Sequence, residues 1–530
     1  MDKKSTIYFP SIFNDVIGPV MRGPSSSHCA ASVRIGRMAR DLMNADIRDV
    51  LIEFDTNGSL ATTHESQGSD MGLFAGLLGW EVSDERLPEA AQALRDAGIS
   101  ITIKVSDFGT DHPNTYRLNL RNTAEHHELI ALSTGSGMIE VTAIDGVSLS
   151  MAGDYHETLI FVEGAEDEVF AYIMKNVEAE DILLRKGKDT TFIQIKTRDV
   201  LSDAIVADLR PYENIRWIKR FSPVLPVLSS KNMDVPFITG REMLAYNERR
   251  DLPLWELALD YESIRGGLSR KDVFQKMGEI VTIMQNALRR GLEGTEYADR
   301  ILGYQSGVFL EQMENRRLLD AGVLNRIILN VTAMMESKSS MGVIVVAPTA
   351  GACGVLPGAV IGAAEFMGLD NDRMTRALLA SGMIGVFIAA HATFAAEIGG
   401  CQAECGAGSG MAAAGLVSLA GGSTTQALDA ASMALQNTLG MICDPVANRV
   451  EVPCLGRNVM AAANALACTN MALAGYDPVV PLDEVIETMD SVGKSIPFEL
   501  RCTALGGLSV TKTSVDIQKR LERHKKKPTA

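Results

Sequence analysis

The chain lacks an excess of positive charge. Its 530 residues include 50 Lys and Arg against 66 Asp and Glu, a formal net charge of −16 at pH 7. A surface of this charge repels nucleic acid and anionic membranes, so the composition argues against both as partners. We therefore expect a small-molecule partner.

The chain also lacks a recognisable targeting segment. The N-terminus, MDKKSTIYFPSIFNDVIGPV, has neither the sustained apolar run nor the small-residue cleavage site of a secretory signal. We expect a cytoplasmic protein whose eight cysteines stay reduced. Residues 377–396 carry no formal charge and are long enough to span a bilayer, but they include Gly, Ser, His and Thr and have no aromatic belt. We interpret them as a buried helix in a protein with no membrane partner.

Aromatic residues are scarce, at 5% of the chain, whereas glycine occurs 47 times. The hydrophobic periods predict a multidomain fold that begins with an α+β domain over 1–150. The order strand–helix–strand–strand–helix–strand then predicts a small ferredoxin-like domain at 155–222. A Pro- and Ser-rich linker, 222–236, leads to a large all-α domain at 236–515, which is rich in Gly and Ala and should pack through small residues.

The cysteines show no standard metal-binding spacing. Cys443 precedes Pro445 by two residues and Cys454 directly follows Pro453, so both lie where helices are interrupted. With Cys401 they make three widely spaced thiols, which match neither a ferredoxin run nor a C-x₂-C zinc pattern. Spacing alone fits metal ligands and small buried core residues equally well.

Two further segments are candidates for ligand binding. The sequence GPSSSH, residues 23–28, precedes a predicted helix, so its serines are expected to cap that helix and its N–H groups to bind a carboxylate. An ordinary helix cap is the alternative. The segment VVAPTAGACGVLPGAV, 345–360, is a Gly/Pro-punctuated loop without the G-x-x-x-x-G-K-[ST] pattern, so it does not imply a nucleotide phosphate.

Seven motifs together resemble a known family. In chain order they are GPSSSH…VRIGRMARD, HPNTYRL, STGSGMIEV, APTAGACGVLPG, GGCQAECGAGSGMAAAGL, CDPVANRVEVPC…RN and ALGGLSVT. Over nearly the whole chain they resemble the iron–sulfur L-serine dehydratases. In that family a ligand-binding β domain and a helical α domain cooperate, and here the two look fused. Some members carry an ACT-type regulatory domain, which the resemblance implies for 155–222.

The resemblance implies a [4Fe–4S] cluster held by Cys401, Cys443 and Cys454, with one iron left open as a Lewis acid for the substrate hydroxyl. The expected reaction converts L-serine into pyruvate and ammonia. We also expect a homodimer. The residues assigned to substrate binding are Ser25, Ser26, Ser27, Ser69, Asp70 and Thr349.

One departure from the family concerns the catalytic base. Where the family has Gly-His-(Gly/His)-Thr-Asp, this chain has Ser-Gln-Gly-Ser-Asp at 66–70, and the amide of Gln67 cannot accept a proton. His64, Glu65, His28 and His391 are the alternatives, and we rank His64 first and His28 second as the catalytic residue. The substitution also leaves room for L-cysteine or L-threonine as substrate.

Two rival functions remain open at this point. A pyridoxal-phosphate dehydratase needs a Schiff-base lysine, but no lysine occurs between Lys338 and Lys494, where the motifs are densest. An amino-acid sensor without catalysis would account for the ferredoxin-like domain and the missing histidine. A fourth cluster ligand is also undetermined, with Cys353, Cys405 and Cys502 as candidates.

Overall fold

The computed structural model describes residues 9–164, 166–188, 190–230 and 233–525. The chain divides into an α/β unit, residues 27–233, and a helical unit made of residues 1–26 and 234–530. The second boundary lies inside the predicted linker. Of the described residues, 9–26 belong to the helical unit rather than to the predicted 1–150 domain, and within them Val20 and Met21 pair with Val345 and Ile344 of that unit.

The strands of the described residues follow in chain order. They are β1 (Val20–Met21), β2 (Asp49–Asp55), β3 (Ser100–Ser106), β4 (Thr115–Arg121), β5 (His126–Gly135), β6 (Met138–Ile144), β7 (Val147–Met151), β8 (His156–Val162), β9 (Asp181–Lys186), β10 (Thr191–Thr197), β11 (Ile215–Phe221) and β12 (Ile344–Val345).

In the α/β unit, α-helices lie between some of these strands, and in the rest of the chain most elements are helices. In chain order they are α1 (Ala31–Leu42), α2 (Leu60–Thr63), α3 (Ser69–Leu77), α4 (Ala90–Asp96), α5 (Glu166–Asn176), α6 (Asp203–Leu209), α7 (Gly240–Asn247), α8 (Leu254–Gly266), α9 (Arg270–Glu293), α10 (Ser306–Glu314), α11 (Val323–Ser339), α12 (Val355–Met367), α13 (Asn371–His391), α14 (Ala396–Gly399), α15 (Cys405–Ala420), α16 (Thr424–Gln436), α17 (Cys454–Leu473), α18 (Leu482–Ser495) and α19 (Lys512–Lys525).

The larger sheet of the α/β unit has the order β3-β2-β4-β5-β6-β7. Strands β2 and β3 pair in parallel and the other neighbours are antiparallel. Ile35, Met38 and Leu42 of α1 are buried in one core with Ile52 and Phe54 of β2. The 3.6-residue period of α1 thus meets the two-residue period of β2, in keeping with the predicted α+β domain.

The smaller sheet of the α/β unit is antiparallel, with the order β11-β8-β10-β9. Helix α5 connects β8 to β9 and helix α6 connects β10 to β11. Ile160, Val169, Ile193 and Leu209 form part of its own core. The order of elements is the one predicted for this segment.

In the helical unit, α15 packs against α12, α13, α16 and α17. The glycines of α15 allow the neighbouring helices to approach closely. A Cβ atom on Gly415 would lie 2.3 Å from the Oγ of Ser381 and 3.1 Å from the carbonyl oxygen of Ala377, both on α13. Packing through small residues therefore occurs as predicted.

Helix α13 covers most of the uncharged stretch considered above as a membrane span. It is the one helix among the described residues that is long and apolar enough to cross a bilayer, and 78% of its most apolar window is buried inside the protein. Buried core helices meet the same criterion.

Candidate active site

Five thiols come together in the helical unit. Cys405 begins α15, Cys454 begins α17, and Cys401 lies in the short turn before α15. Cys443 lies in extended backbone and bridges to Arg501, which brings Cys502 beside it: the amide of Cys502 donates to the carbonyl of Cys443 at 2.9 Å. All five are buried. The structure thus brings together the three predicted ligands and two cysteines that had been candidates for a fourth.

The thiols differ in their acidity. A hydrogen bond from the Cys405 thiol, helped by Arg457, lowers the pKa of Cys401 despite burial. The hydrogen bond with Cys502, burial and the nearby charge of Cys401 raise the pKa of Cys443. Burial and the charge of Cys401 likewise raise the pKa of Cys454. Cys401 is therefore the preferred thiolate, and the other two must release protons on binding a metal.

Two residues of α17 organise the thiols and were not singled out individually from the sequence. Arg457 hydrogen-bonds to Cys401 and donates to the carboxylate of Asp444 at 2.6 Å. Asn458 donates to the carbonyls of Gly351 and Cys454, both at 2.8 Å. They stand three and four residues after Cys454, so the helical period places them on the same side of α17 as the thiol.

The loop of residues 345–354 closes another side of this group. The Thr349 hydroxyl donates to Glu404 at 2.6 Å, and the amide of Ala350 donates to the Ser26 hydroxyl at 3.2 Å. Burial and the charge of Cys401 raise the pKa of Glu404 to about 8. Of the predicted substrate residues, Thr349 therefore lies in this loop and Ser26 is hydrogen-bonded to it. Glu404 is an additional polar group at the site, and the sequence did not indicate it.

The chemistry of the donor set fits an iron–sulfur cluster, because thiolates are the ligands that hold such clusters. In the part of the chain that the structure describes, no three His, Cys, Asp or Glu side chains are arranged to hold one metal ion. Arg457 and the buried Lys338, which lies beside Cys454, supply positive charge to a site rich in thiolates.

The α/β unit holds the two histidines ranked first as candidate bases, His64 and His28. The Nδ1 atom of His64 lies 2.8 Å from both carboxylate oxygens of Asp70, and its ring packs on Phe54 with centroids 4.9 Å apart. A carboxylate only accepts, so Nδ1 donates to Asp70, and in the neutral imidazole Nε2 is then the acceptor. Asp70 thus orients the His64 ring; its predicted contact with the substrate stays a prediction.

His28 has a different setting. Its Nε2 lies 2.8 Å from the Thr63 hydroxyl, which itself donates to the carbonyl of Ser59 at 2.7 Å. Because a hydroxyl has one proton, His28 must donate through Nε2. Burial first, and then the charge of His64, lower the pKa of His28 to about 3.

The predicted serine cap of α1 is wrong. A π-helical turn, Ser26–Ala30, runs directly into α1, and the residue before the helix, Ala30, makes no side-chain cap. The Ser26 hydroxyl accepts instead from the amide of Ala350, and the backbone carbonyl of Ser27 accepts from the Ser133 hydroxyl at 2.7 Å. Ser25 is buried as well. Because the π-helical turn continues into α1, the first N–H groups of α1 lie inside a helical segment and need no hydroxyl cap.

The remaining predicted residues occupy varied positions. The Ser69 hydroxyl contacts the Tyr116 hydroxyl at 2.9 Å, and Gln67 is buried. Of the alternative bases, Glu65 is exposed, and His391 ends α13 with its ring nitrogen 3.1 Å from the carbonyl of Ile238. His28 and His64 belong to the α/β unit, and the thiol group belongs to the helical unit.

Comparison with known proteins identifies the family. Residues 249–509 match the family model of the serine dehydratase alpha chain. The chain is 34% identical over 285 residues to a probable L-serine dehydratase alpha chain of Bacillus subtilis, covering 54% of this chain and 95% of the relative. It is 36% identical over 284 residues to the L-serine dehydratase alpha chain of Peptoniphilus asaccharolyticus, covering 53% and 97%. The chain belongs to the L-serine dehydratase family.

The similarity extends beyond the alpha-chain region. L-serine dehydratase 1 of Escherichia coli is 26% identical over 502 residues, which cover 92% of this chain and 96% of the relative. This member of the L-serine dehydratases therefore carries fused β and α parts, as the motifs predicted. The thiol group, with Thr349, lies inside the matched alpha-chain region.

Proposed function

We propose that this chain deaminates L-serine to pyruvate and ammonia with the help of a [4Fe–4S] cluster. The observation that carries the proposal is the meeting of Cys401, Cys443 and Cys454 in one buried site. They come from segments up to 53 residues apart in a chain whose relatives are named L-serine dehydratases.

The three thiolates would hold the cluster, which supplies Lewis acidity toward the departing β-hydroxyl when bound. Cys405 and Cys502 each hydrogen-bond to one of these thiols, whereas the electrostatic partners of Cys353 are Lys338 and Glu404. This contact favours Cys405 or Cys502 over Cys353 as a fourth ligand. The hydrogen bond from Cys405, together with Arg457, lowers the pKa of Cys401 and so favours its thiolate.

His64 is the best candidate for the base that removes the Cα proton. Asp70 holds its Nδ1–H, so the lone pair of Nε2 is available to accept a proton, and the ring is partly solvent-accessible, at 21%. This is the arrangement in which a carboxylate orients a catalytic imidazole. Asp70 then acts as a positioning residue, and Gln67 takes no part in proton transfer.

Ser25, Ser26, Ser27, Ser69 and Thr349 remain our candidates for substrate contacts. Ser26 is supported by its bond to the loop that also carries Thr349. The proposed ligand for these hydroxyls is the substrate carboxylate, because a hydrogen bond to a charged group stabilises more than one between neutral groups.

The comparisons do not favour the alternative substrates, since the relatives are named for L-serine. The same holds for a sensor without catalysis. A pyridoxal-phosphate enzyme would need a lysine that is free to form a Schiff base. Lys338, which lies beside the thiols, is instead buried, and its ammonium donates to the carbonyl of Val450. We further propose that 155–222 is an ACT-type regulatory domain and that the protein is a cytoplasmic homodimer.

Anaerobic purification followed by iron and sulfide analysis and a pyruvate assay with L-serine tests the proposal. The variants Cys401→Ser, Cys443→Ser and Cys454→Ser should each lose both the cluster absorbance and turnover. The buried cysteines outside the group provide matched controls, so Cys29→Ser and Cys468→Ser should keep both. A Cys454→Ser protein with full iron content and full activity would rule out the ligand assignment.

A further inference from the structure

The side chain of Asn114 has no hydrogen-bond partner in the part of the chain that the structure describes. It is fully buried, at 0% exposure, and both its Oδ1 and its Nδ2 are shielded from solvent and unpaired. A buried amide in this state costs the free energy of desolvating both atoms. Such a group calls for a specific explanation, and a bound molecule is one.

The backbone of Asn114 is already satisfied. Its N–H donates to the Nδ1 atom of His112 at 3.2 Å, and its carbonyl accepts from the amide of Ser133 at 3.0 Å. These two bonds fix the main chain just before β4. Only the carboxamide is left for another partner.

Asn114 is tied to the segments that carry the histidines. The carbonyl of the preceding residue, Pro113, accepts from the amide of Ser59 at 2.8 Å, and Ser59 in turn accepts from Thr63, the partner of His28. On the other side of Asn114, Tyr116 contacts Ser69. The amide of Ser69 in turn donates to the carbonyl of His64 at 2.8 Å, so the chain on both sides of Asn114 is hydrogen-bonded to the segments that carry His28 and His64.

The chemistry of a carboxamide narrows the ligand. Its N–H groups donate and its oxygen accepts, so a simple anion would leave Oδ1 unpaired and a simple cation would leave Nδ2 unpaired. A zwitterionic α-amino acid satisfies both atoms, because its carboxylate accepts and its ammonium donates. The groups hydrogen-bonded to Pro113 and Tyr116, on either side of Asn114, are a backbone amide and a hydroxyl, which carry neither charge.

We propose that Asn114 binds the α-amino and α-carboxylate groups of the amino-acid substrate through Oδ1 and Nδ2. This inference rests on the proposed function and adds a specificity residue to it. An ordered water, which also donates and accepts, is the competing occupant.

Stability and binding change in different directions under the two explanations. If the Asn114 carboxamide stays unpaired until the substrate binds, Asn114→Leu removes an unsatisfied polar group. The ligand-free variant should then have a melting temperature equal to or above that of the wild type. Its affinity for L-serine should fall at least about ten-fold, since hydrogen bonds to charged groups are lost. If a water fills the amide, the variant should melt lower and bind L-serine as the wild type does.

The test uses anaerobically purified, cluster-loaded full-length protein. Melting temperature and calorimetric affinity are measured with L-serine and with L-alanine, which keeps both charged groups but lacks the hydroxyl. Asn119→Leu is the matched control, because Asn119 lies on β4, is only partly buried and already donates to Glu53 at 3.3 Å. That control should keep wild-type binding.

Two analogues test the charged groups in the wild-type protein itself. N-acetyl-L-alanine lacks the ammonium and L-alaninamide lacks the carboxylate, so both should bind at least about ten-fold more weakly than L-alanine. This measurement decides the matter even if Asn114→Leu does not fold. Equal binding of the analogues, or wild-type L-serine affinity and KM in Asn114→Leu, would overturn the inference.

Failure of the proposed function gives a different result. A wild-type protein that binds L-alanine through both charged groups but forms no pyruvate would contradict the dehydratase activity and leave the role of Asn114 supported. A wild-type protein that forms pyruvate while Asn114→Leu keeps its KM would contradict the role of Asn114 alone.

Discussion

Removing either histidine should show which one accepts the Cα proton. The folded protein holds the pKa of His28 at about 3, against an ordinary value of 6.5. One pKa unit corresponds to 1.36 kcal/mol, so protonating His28 costs about 5 kcal/mol more than protonating an unperturbed histidine. A base with that penalty is poorly matched to neutral pH. His64 carries a carboxylate partner instead, which stabilises the imidazolium that proton transfer creates.

The substitutions can be chosen to keep the existing hydrogen bonds. In His64→Asn the amide nitrogen replaces Nδ1 as donor to Asp70, and in His28→Gln it replaces Nε2 as donor to Thr63. Neither amide accepts a proton. General-base catalysis contributes typically ~10²–10⁴-fold, so His64→Asn should lower kcat by about that factor, whereas His28→Gln should stay within about ten-fold of the wild type.

Two measurements on cluster-loaded protein check this: pyruvate formation, and exchange of the Cα proton of L-serine with deuterated solvent. His64→Asn should lose both while retaining iron and sulfide. Exposed Glu65 offers a control in the same segment, and Glu65→Gln should retain both. If His28→Gln loses exchange and turnover with its cluster intact and His64→Asn keeps them, the ranking is wrong and the buried histidine is the base.

Two further predictions concern Ser26 and acid stability. Ser26→Ala should weaken substrate binding by ~1–2 kcal/mol, a rise in KM of about 5- to 30-fold, with the cluster intact; an unchanged KM would count against a carboxylate contact. Below pH 6.5 the unfolded chain protonates His28 and the folded chain does not, so stability falls as pH falls, by about 1.4 kcal/mol per pH unit down to about pH 3. In urea unfolding between pH 6.5 and 5.0, the free energy of unfolding of His28→Gln should therefore fall by roughly 2 kcal/mol less than that of the wild type. Equal decreases in both proteins would contradict the buried, neutral state of His28.

Local sequence was sufficient for several features. The strands β2 and β3, the buried face of α1 and the order of elements from β8 to β11 all follow from hydrophobic periods of two and 3.6 residues. The long Gly- and Ala-rich motifs identified the family, which the comparisons confirmed. These signals are contained within single segments, so one sequence suffices to read them.

The acidity and the partners of the site residues were decided by tertiary structure. Nothing in the spacing of Cys443 and Cys502 indicates that they pair, because a bridge to Arg501 brings them together across 59 residues. The sequence predicted a substrate contact for Asp70, whereas its hydrogen bond to His64 depends on the turn between α2 and α3. Burial lowers the pKa of His28. Burial also shields the side chain of Asn114 from solvent while leaving it without a hydrogen-bond partner among the described residues. Burial and long-range hydrogen bonds depend on which segments fold over one another, and that information is not contained in any one segment.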